Sequence, residues 1–147
     1  MHIFAASDHA GFALRQVLVD HLRAAGHTVD DLGPAQPERC DYPDYAAQVA
    51  RRVAAEQGLG LLVCGTGVGM SMAANKVGGV RAAVVSDVFS ASATRAHNDA
   101  NVICVGQRVV GAGLAIAIVD AFVGTEYEGG RHAARVAKIH ALETPAD

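Results

Sequence analysis

A cysteine followed by alternating glycines is the feature of this sequence that points most clearly to chemistry. Cys64 closes an apolar run, and the glycines of 65–69 follow it before a helix predicted to start near Met70. Glycines let the backbone turn tightly and approach a ligand, and free amides at a helix N-terminus attract anions. The same positive potential favours the thiolate form of a cysteine. The segment therefore indicates either a polar ligand held by backbone beside a reactive sulfur, or an ordinary turn with a buried, inert cysteine.

The glycine loop does not match two common nucleotide-binding motifs. It lacks the Gly-Lys-Ser/Thr sequence that closes the phosphate loop of nucleotide hydrolases. Its glycines also fail the GxGxxG spacing of dinucleotide-binding folds. We therefore expect no nicotinamide cofactor, and the pattern calls for no other cofactor.

Two pairs of polar residues each have a functional and a structural interpretation. Asp8 and His9 are typical of an acid/base or hydroxyl-binding pair, but an Asp after a strand is also a common helix N-cap. His97 and Asn98 could be a proton donor with an amide partner. Equally, they could end a helix, with His stabilising the dipole and Asn in a left-handed cap.

A pair of arginines near the C-terminus suggests an anion site. Arg131 and Arg135 are four residues apart, so on a predicted helix over 131–142 they share one face and could hold one phosphate. Solvated arginines are the more frequent explanation for such a pair. The sequence alone leaves both interpretations open.

The elements that must position these residues alternate between short apolar runs and longer amphipathic segments. Strands are predicted over 2–7, 28–32, 61–64, 81–86 and 101–105, and helices over 12–24, 43–57, 70–75, 88–97, 112–123 and 131–142. Strands that alternate with helices indicate a parallel sheet covered on both faces. We predict an α/β fold, a Rossmann-like three-layer α/β/α sandwich with a five-stranded parallel sheet, as one domain over 1–147. The strand order does not follow from the pattern, and the tail 144–147 is predicted to be disordered.

This fold binds ligands at the carboxyl ends of its strands. Polar residues follow the first, third, fourth and fifth predicted strands, and His97 and Asn98 end the helix after the fourth. We therefore expect all of these polar groups to collect at one edge of the sheet, as a catalytic cleft requires.

Composition excludes several classes of protein. Apolar residues make up 51% of the 147 and charged residues 18%, which is typical of a globular chain. A formal charge of −3 and the absence of Trp argue against a nucleic-acid partner. Three scattered cysteines give neither a disulfide framework nor a zinc motif, and the histidines show no ligand spacing, so no metal is expected. With no signal peptide or membrane segment visible, we expect a cytoplasmic protein.

A set of short motifs, in this order and spacing, resembles the type B ribose-5-phosphate isomerases and their sugar-phosphate isomerase relatives. The segments that carry the resemblance span nearly the whole chain: 7–12, 41–43, 64–71, 73–76, 97–102, 106–111 and 127–132. The resemblance implies an aldose–ketose isomerase of the pentose phosphate pathway that interconverts ribose 5-phosphate and ribulose 5-phosphate through an enediolate. Its alternatives are the same mechanism on allose 6-phosphate, galactose 6-phosphate or a four-carbon erythrulose phosphate, or a non-catalytic sugar-phosphate sensor.

The resemblance also implies roles for individual residues. Cys64 matches the base that moves a proton between C2 and C1; relatives without this cysteine use a glutamate at the position of Met70, so this chain resembles the cysteine subtype. The other matches are loop amides for the enediolate oxygens (Gly65, Gly67, Val68, Gly69), groups that assist ring opening (Thr66, Asp8, His97), phosphate or hydroxyl contacts (His9, Arg131, Arg135) and further ligand contacts (Asn98, Arg108).

The resemblance further implies a homodimer or homotetramer whose cleft lies at a subunit interface. Some site residues would then come from the second subunit, and the helix over 131–142 would lie at the interface. The only other partner implied is a small sugar phosphate, with no cofactor and no metal.

Overall fold

Five parallel strands form one sheet in the computed structural model of the protein, which describes residues 1–143. The strands are β1 (His2–Ser7), β2 (Thr28–Asp31), β3 (Leu59–Cys64), β4 (Ala82–Val84) and β5 (Val102–Gly106). Their order across the sheet is β2-β1-β3-β5-β4. The central strand β3 is buried along its whole length, as expected when helices cover both faces of a parallel sheet. The predicted α/β fold with a five-stranded parallel sheet is confirmed.

Helices cover both faces of this sheet. They are α1 (Phe12–Ala24), α2 (Tyr42–Glu56), α3 (Val68–Ala74), α4 (Val88–Asn98), α5 (Ala112–Gly124) and α6 (Ala133–Ala141), with short 3₁₀ turns at His9–Gly11 and Gly130–His132. Successive residues of β3 point to opposite faces. Leu61 and Val63 join a core formed with α1, α4 and α5, and Leu62 and Cys64 join a core formed with α2 and α3.

The structure departs from the predicted elements near the C-terminus. The last helix does not begin at Arg131: residues 130–132 form a 3₁₀ turn, and α6 begins at Ala133. Gly129 and Gly130 have φ of +61° and +53°, which interrupts any regular helix just before this turn. The predicted disordered tail, 144–147, lies outside the described residues. None of the helices within residues 1–143 is long and apolar enough to cross a membrane.

Candidate active site

Cys64 stands at the carboxyl end of β3, in a loop whose backbone turns back onto its sulfur. The residue is 5% exposed, and its Sγ accepts a hydrogen bond from the Gly67 amide at 3.0 Å. Gly67 has a φ of +80°, and a Cβ built on it would lie 3.1–3.2 Å from backbone atoms of Cys104 and Val105. Only a glycine adopts this conformation in this space without strain, so the glycine brings an amide donor to the thiol.

The loop after β5 braces the loop after Cys64. The amide of Gln107 donates to the carbonyl of Cys64 at 2.9 Å, and the amide of Arg108 donates to that of Gly65 at 3.0 Å. A Cβ on Gly106 would lie 2.7 Å from the backbone of Thr66, so the two loops are in direct backbone contact. The Thr66 and Arg108 side chains are exposed and therefore accessible to a ligand.

Asp8 and His9 follow the neighbouring strand β1. The amide of Asp8 donates to the carbonyl of Val63 at 3.2 Å, which holds this segment beside Cys64. Asp8 Oδ1 accepts hydrogen bonds from the amides of Ala10 at 2.9 Å and Gly11 at 3.0 Å, so the capping interpretation of Asp8 is confirmed. His9 is half-buried, and its Nδ1 accepts the amide of Cys40 at 3.4 Å. We call this region the thiol end; its candidate residues are Asp8, His9, Cys64, Gly65, Thr66, Gly67, Val68, Gly69 and Arg108.

His97 lies at the opposite edge of the sheet. Helix α4 leaves the carboxyl edge after β4, runs back along the sheet, and ends at Asn98, just before β5 starts. Because Cys64 pairs with Gly106 at the far end of β5, the length of that strand, about 13 Å, separates the two levels. The expectation that all polar groups collect at one edge is therefore wrong for His97 and Asn98. A helix that returns between parallel strands must carry its last residues to the amino edge.

The region around His97, which we call the histidine end, is built from side chains of two segments. The amide of Glu128 donates to the carbonyl of Ala96 at 3.0 Å and anchors the loop after α5 on the end of α4. The rings of His97 and His132 stack with centroids 4.4 Å apart and planes 15° apart. Glu128 Oε2 lies 4.0 Å from Nε2 of His97 and 3.6 Å from Nε2 of His132.

The electrostatics of the histidine end act mainly on His132, which is 7% exposed. Burial lowers the pKa of His132 below its ordinary value, and the neighbouring His97 and Arg131 lower it further. Glu128 acts in the opposite direction. A neutral imidazole is therefore favoured at position 132.

The candidate arginines and Asn98 are also at the histidine end, but not in the arrangement that the sequence predicts. Arg131 belongs to the 3₁₀ turn and Arg135 to α6, so they do not share a face of one continuous helix. Both side chains are exposed. Asn98 is the exposed last residue of α4, and Asp99, with a φ of +47°, takes the left-handed cap position instead.

The structure thus divides the predicted site residues of one chain into two groups. The thiol end combines a buried sulfur with amide donors, which suits proton abstraction next to a developing oxyanion. The histidine end combines imidazoles with guanidiniums, which suits proton donation and anion binding. Glu128 and His132 were missed by the sequence analysis as site residues. Their signal lay in the segment 127–132, of which only Arg131 was interpreted.

Comparisons with known proteins agree along nearly the whole chain. Residues 3–139 match the model of the ribose/galactose isomerase family. The chain is 54% identical over 137 residues to ribose-5-phosphate isomerase B of Escherichia coli strain K12, with 92% of each sequence covered. A solved ribose-5-phosphate isomerase B from Clostridium thermocellum superposes with a TM-score of 0.96 at 46% identity, over 97% of each chain. The Mycoplasma genitalium enzyme, solved with bound ribulose-5-phosphate, gives a TM-score of 0.95 at 44% identity, over 99% of this chain and 97% of the other.

Proposed function

The chain belongs to the ribose/galactose isomerase family, and we propose that it interconverts ribose 5-phosphate and ribulose 5-phosphate with Cys64 as the base. The observation that carries the role of Cys64 is its sulfur, buried at the end of β3 and hydrogen-bonded to the Gly67 amide at 3.0 Å. The reaction belongs to the pentose phosphate pathway. Three free cysteines suit work in the reducing cytoplasm.

The proton transfer follows from the thiol end. The Cys64 thiolate removes the C2 proton of the open-chain aldose, which leaves a 1,2-enediolate, and returns the proton to C1. In the same conversion a hydroxyl proton passes from O2 to O1, so that C2 becomes the ketone carbon. Backbone amides of 65–69 donate to the enediolate oxygens, and each such donor is typically worth about 3–4 kcal/mol of transition-state stabilisation. By contrast, burial strongly raises the pKa of the Cys104 thiol, so that cysteine stays protonated and does not compete as a base.

Ring opening and phosphate binding are assigned to the remaining candidates. His97 donates a proton to the ring oxygen as the bond from that oxygen to C1 breaks, and the C1 hydroxyl releases its proton to solvent to leave the aldehyde. Asp8 and Thr66 assist by holding the sugar hydroxyls. Arg131 and Arg135 hold the phosphate with charge-assisted hydrogen bonds. His9, Asn98 and Arg108 supply further contacts to the phosphate or hydroxyls.

We further propose that the working enzyme is a homodimer, alone or paired into a tetramer, in which the thiol end of one chain faces the histidine end of its partner. The separation of the two ends within one chain supports this arrangement, because one small sugar phosphate cannot touch both. A two-fold axis would then complete two identical sites. Phe89, 80% exposed at the start of α4, and Val109, 57% exposed beside Arg108, offer apolar surface for the contact.

The Cys64→Ala variant tests the role of the thiol. We expect turnover of ribose 5-phosphate to vanish while ribulose 5-phosphate still binds, because the phosphate and hydroxyl contacts stay in place. Cys40→Ala, which removes a half-buried thiol outside the glycine loop, is the control and should keep its turnover. Normal turnover in Cys64→Ala would assign the base to another residue.

A direct isomerisation assay tests the substrate. Ribose 5-phosphate is compared with allose 6-phosphate, galactose 6-phosphate and erythrulose 4-phosphate at equal concentration. We expect a clear preference for ribose 5-phosphate. A preference for another sugar phosphate would keep the mechanism and remove the enzyme from the pentose phosphate pathway. No turnover of any of the four would favour a non-catalytic sugar-phosphate sensor.

A further inference from the structure

Three ligand-type side chains meet at the histidine end, one from the end of α4 and two from the segment that follows α5. One ring nitrogen each of His97 and His132 and a carboxylate oxygen of Glu128 all lie within 4.8 Å of one another. Two imidazole nitrogens and one carboxylate oxygen are a recognised donor set for zinc, which leaves a fourth position open. The fold creates this set by anchoring the loop after α5 on the end of α4.

The buried member of the cluster has a nitrogen without a partner. His132 is 93% buried, and within residues 1–143 its Nε2 has no hydrogen-bond partner. A buried polar atom left unpaired costs free energy, so this nitrogen favours a ligand that it can bind.

The distances are close to those of a coordinated metal and need only a small adjustment. Donors bound to zinc at about 2.0–2.1 Å with tetrahedral angles lie about 3.4 Å apart. Glu128 Oε2 is 3.6 Å from His132 Nε2 and 4.0 Å from His97 Nε2. The His97 side chain is 42% exposed and that of Glu128 is 60% exposed, so both can turn toward the fixed His132. Rotation of His97 out of its stack with His132 would make the two nitrogens converge.

We propose that His97, Glu128 and His132 form a binding site for a divalent transition-metal cation of the zinc class. This departs from the expectation, drawn from the sequence, that no metal is bound. Arg131 and Arg135 lie close enough to lower the pKa of His132, and their positive charges weaken the binding of a cation. The site is therefore one of moderate affinity that fills and empties with the concentration of the metal.

Occupancy of the site has a consequence for turnover, which rests on the proposed role of His97. An imidazole whose nitrogen is bound to zinc cannot donate a proton from that nitrogen to the sugar ring. Zinc would thus inhibit the enzyme by withdrawing its ring-opening acid. The binding of zinc does not depend on this role of His97 and can be measured without an assay of turnover.

Calorimetric titration of the full-length protein with Zn²⁺ and the absorption spectrum with Co²⁺ test the site. We expect the wild type to bind one equivalent with a cobalt spectrum free of thiolate charge-transfer bands. The loss of a ligand should weaken the affinity for this one equivalent of metal by more than the roughly 10–100-fold that is typical of losing an outer-shell partner. Glu128→Gln and His132→Ala are the test variants; Glu126→Gln removes the same charge from the same loop outside the cluster and should bind like the wild type.

Two outcomes would overturn the proposed site: absence of the equivalent from the wild type, or its retention at full affinity in Glu128→Gln. Glu128 is exposed, so that variant stays informative even if His132→Ala fails to fold. Zinc inhibition of ribose 5-phosphate turnover is measured in parallel and should weaken in Glu128→Gln. Metal binding without inhibition would keep the site and remove His97 from the proposed mechanism.

Discussion

The thiol end and the histidine end of the sheet are built from different parts of the chain. The thiol end is built mainly from backbone around a buried cysteine. An amide donates to the sulfur, and a Cβ at Gly67 or Gly106 would crowd backbone atoms of the adjacent loop or strand. The histidine end is built from side chains of two segments, several of them exposed, and is joined by one backbone hydrogen bond from Glu128 to Ala96. One end is fixed by steric exclusion, and the other can be adjusted by rotation of side chains.

This difference suits the tasks proposed for the two ends. Stabilisation of an enediolate depends on donors that are already oriented, which rigid backbone supplies without reorganisation. Ring opening and phosphate binding tolerate longer, mobile side chains because charge acts over a longer range. We therefore expect substitutions at the thiol end and of His97 to change turnover, and substitutions of Arg131 and Arg135 at the histidine end to change binding.

The largest effect should be a recovery of turnover when two inactive variants, one with a defect at each end, are combined. Cys64→Ala and His97→Ala should each have little or no activity alone. Mixed and refolded together, they should recover about one quarter of wild-type turnover, because half of the dimers carry both chains and each of these has one intact site. Turnover of the mixture, measured against each variant refolded alone, checks this. No recovery would mean that the ends of different chains do not complete one another.

Gly67→Ala should have the next largest effect. A side chain at a φ of +80°, only 3.1–3.2 Å from backbone, costs about 1–3 kcal/mol of stability and moves the amide away from Cys64. Chemical denaturation and kcat for ribose 5-phosphate are measured together. Gly113→Ala, in α5 with no atom within 4 Å of the new Cβ, is the opposite control and should stabilise by up to about 1 kcal/mol. Equal effects of the two variants would contradict the steric account of the thiol end.

Arg135→Ala should act on binding and leave the chemistry almost intact. Removal of one charge-assisted hydrogen bond to phosphate costs about 1.5–3 kcal/mol, so KM should rise about 10–100-fold with a much smaller change in kcat. Steady-state kinetics with ribose 5-phosphate separate the two constants. Arg51→Ala, which removes an exposed arginine from α2, provides the comparison. An unchanged KM would return Arg135 to the class of solvated surface residues.

The smallest effect is a dependence of stability on pH that originates at the histidine end. The pKa of His132 is lowered in the folded protein from its ordinary value of 6.5, so the unfolded chain binds more protons in the interval between the two values. His132 therefore destabilises the fold as pH falls through about 6.5 and contributes no such penalty above it. We expect the Tm of His132→Gln to fall less than that of the wild type between about pH 7.5 and 5.5. An equal fall of Tm in the two proteins over this pH range would show that other groups dominate the pH dependence of stability.

The sequence was a good guide to local structure. The bounds of β1 and α1 are predicted residue for residue, because a short apolar run and helical periodicity are both properties of adjacent residues. The loop around Cys64 was predicted for the same reason, since its alternating glycines lie within one short motif. The helix predicted over 131–142 failed at its start, where two glycines of positive φ outweigh a helical pattern.

Two features of placement across the molecule differ in how far the sequence determines them. The position of His97 at the amino edge follows from the predicted parallel fold, because a helix between two parallel strands ends where the next strand begins, although we expected it beside the other polar groups. The strand order is not contained in the periodicity. The meeting of Glu128 with His97 and His132 depends in addition on one hydrogen bond to Ala96. Such contacts join segments about 30 residues apart, and no local motif announces them.

The strand order has a consequence for the place where a ligand can enter. β1 and β3 are neighbours, but the chain leaves β1 toward α1 on one face of the sheet and leaves β3 toward α3 on the other. The two connections diverge, and a crevice opens between the ends of these strands, where Asp8 and Cys64 stand. Short loops are sufficient to line this crevice, because the crevice results from the topology of the sheet and not from the length of the loops. The location of the Cys64 sulfur is thus set by the path of the chain through the sheet and not by the side chains around it.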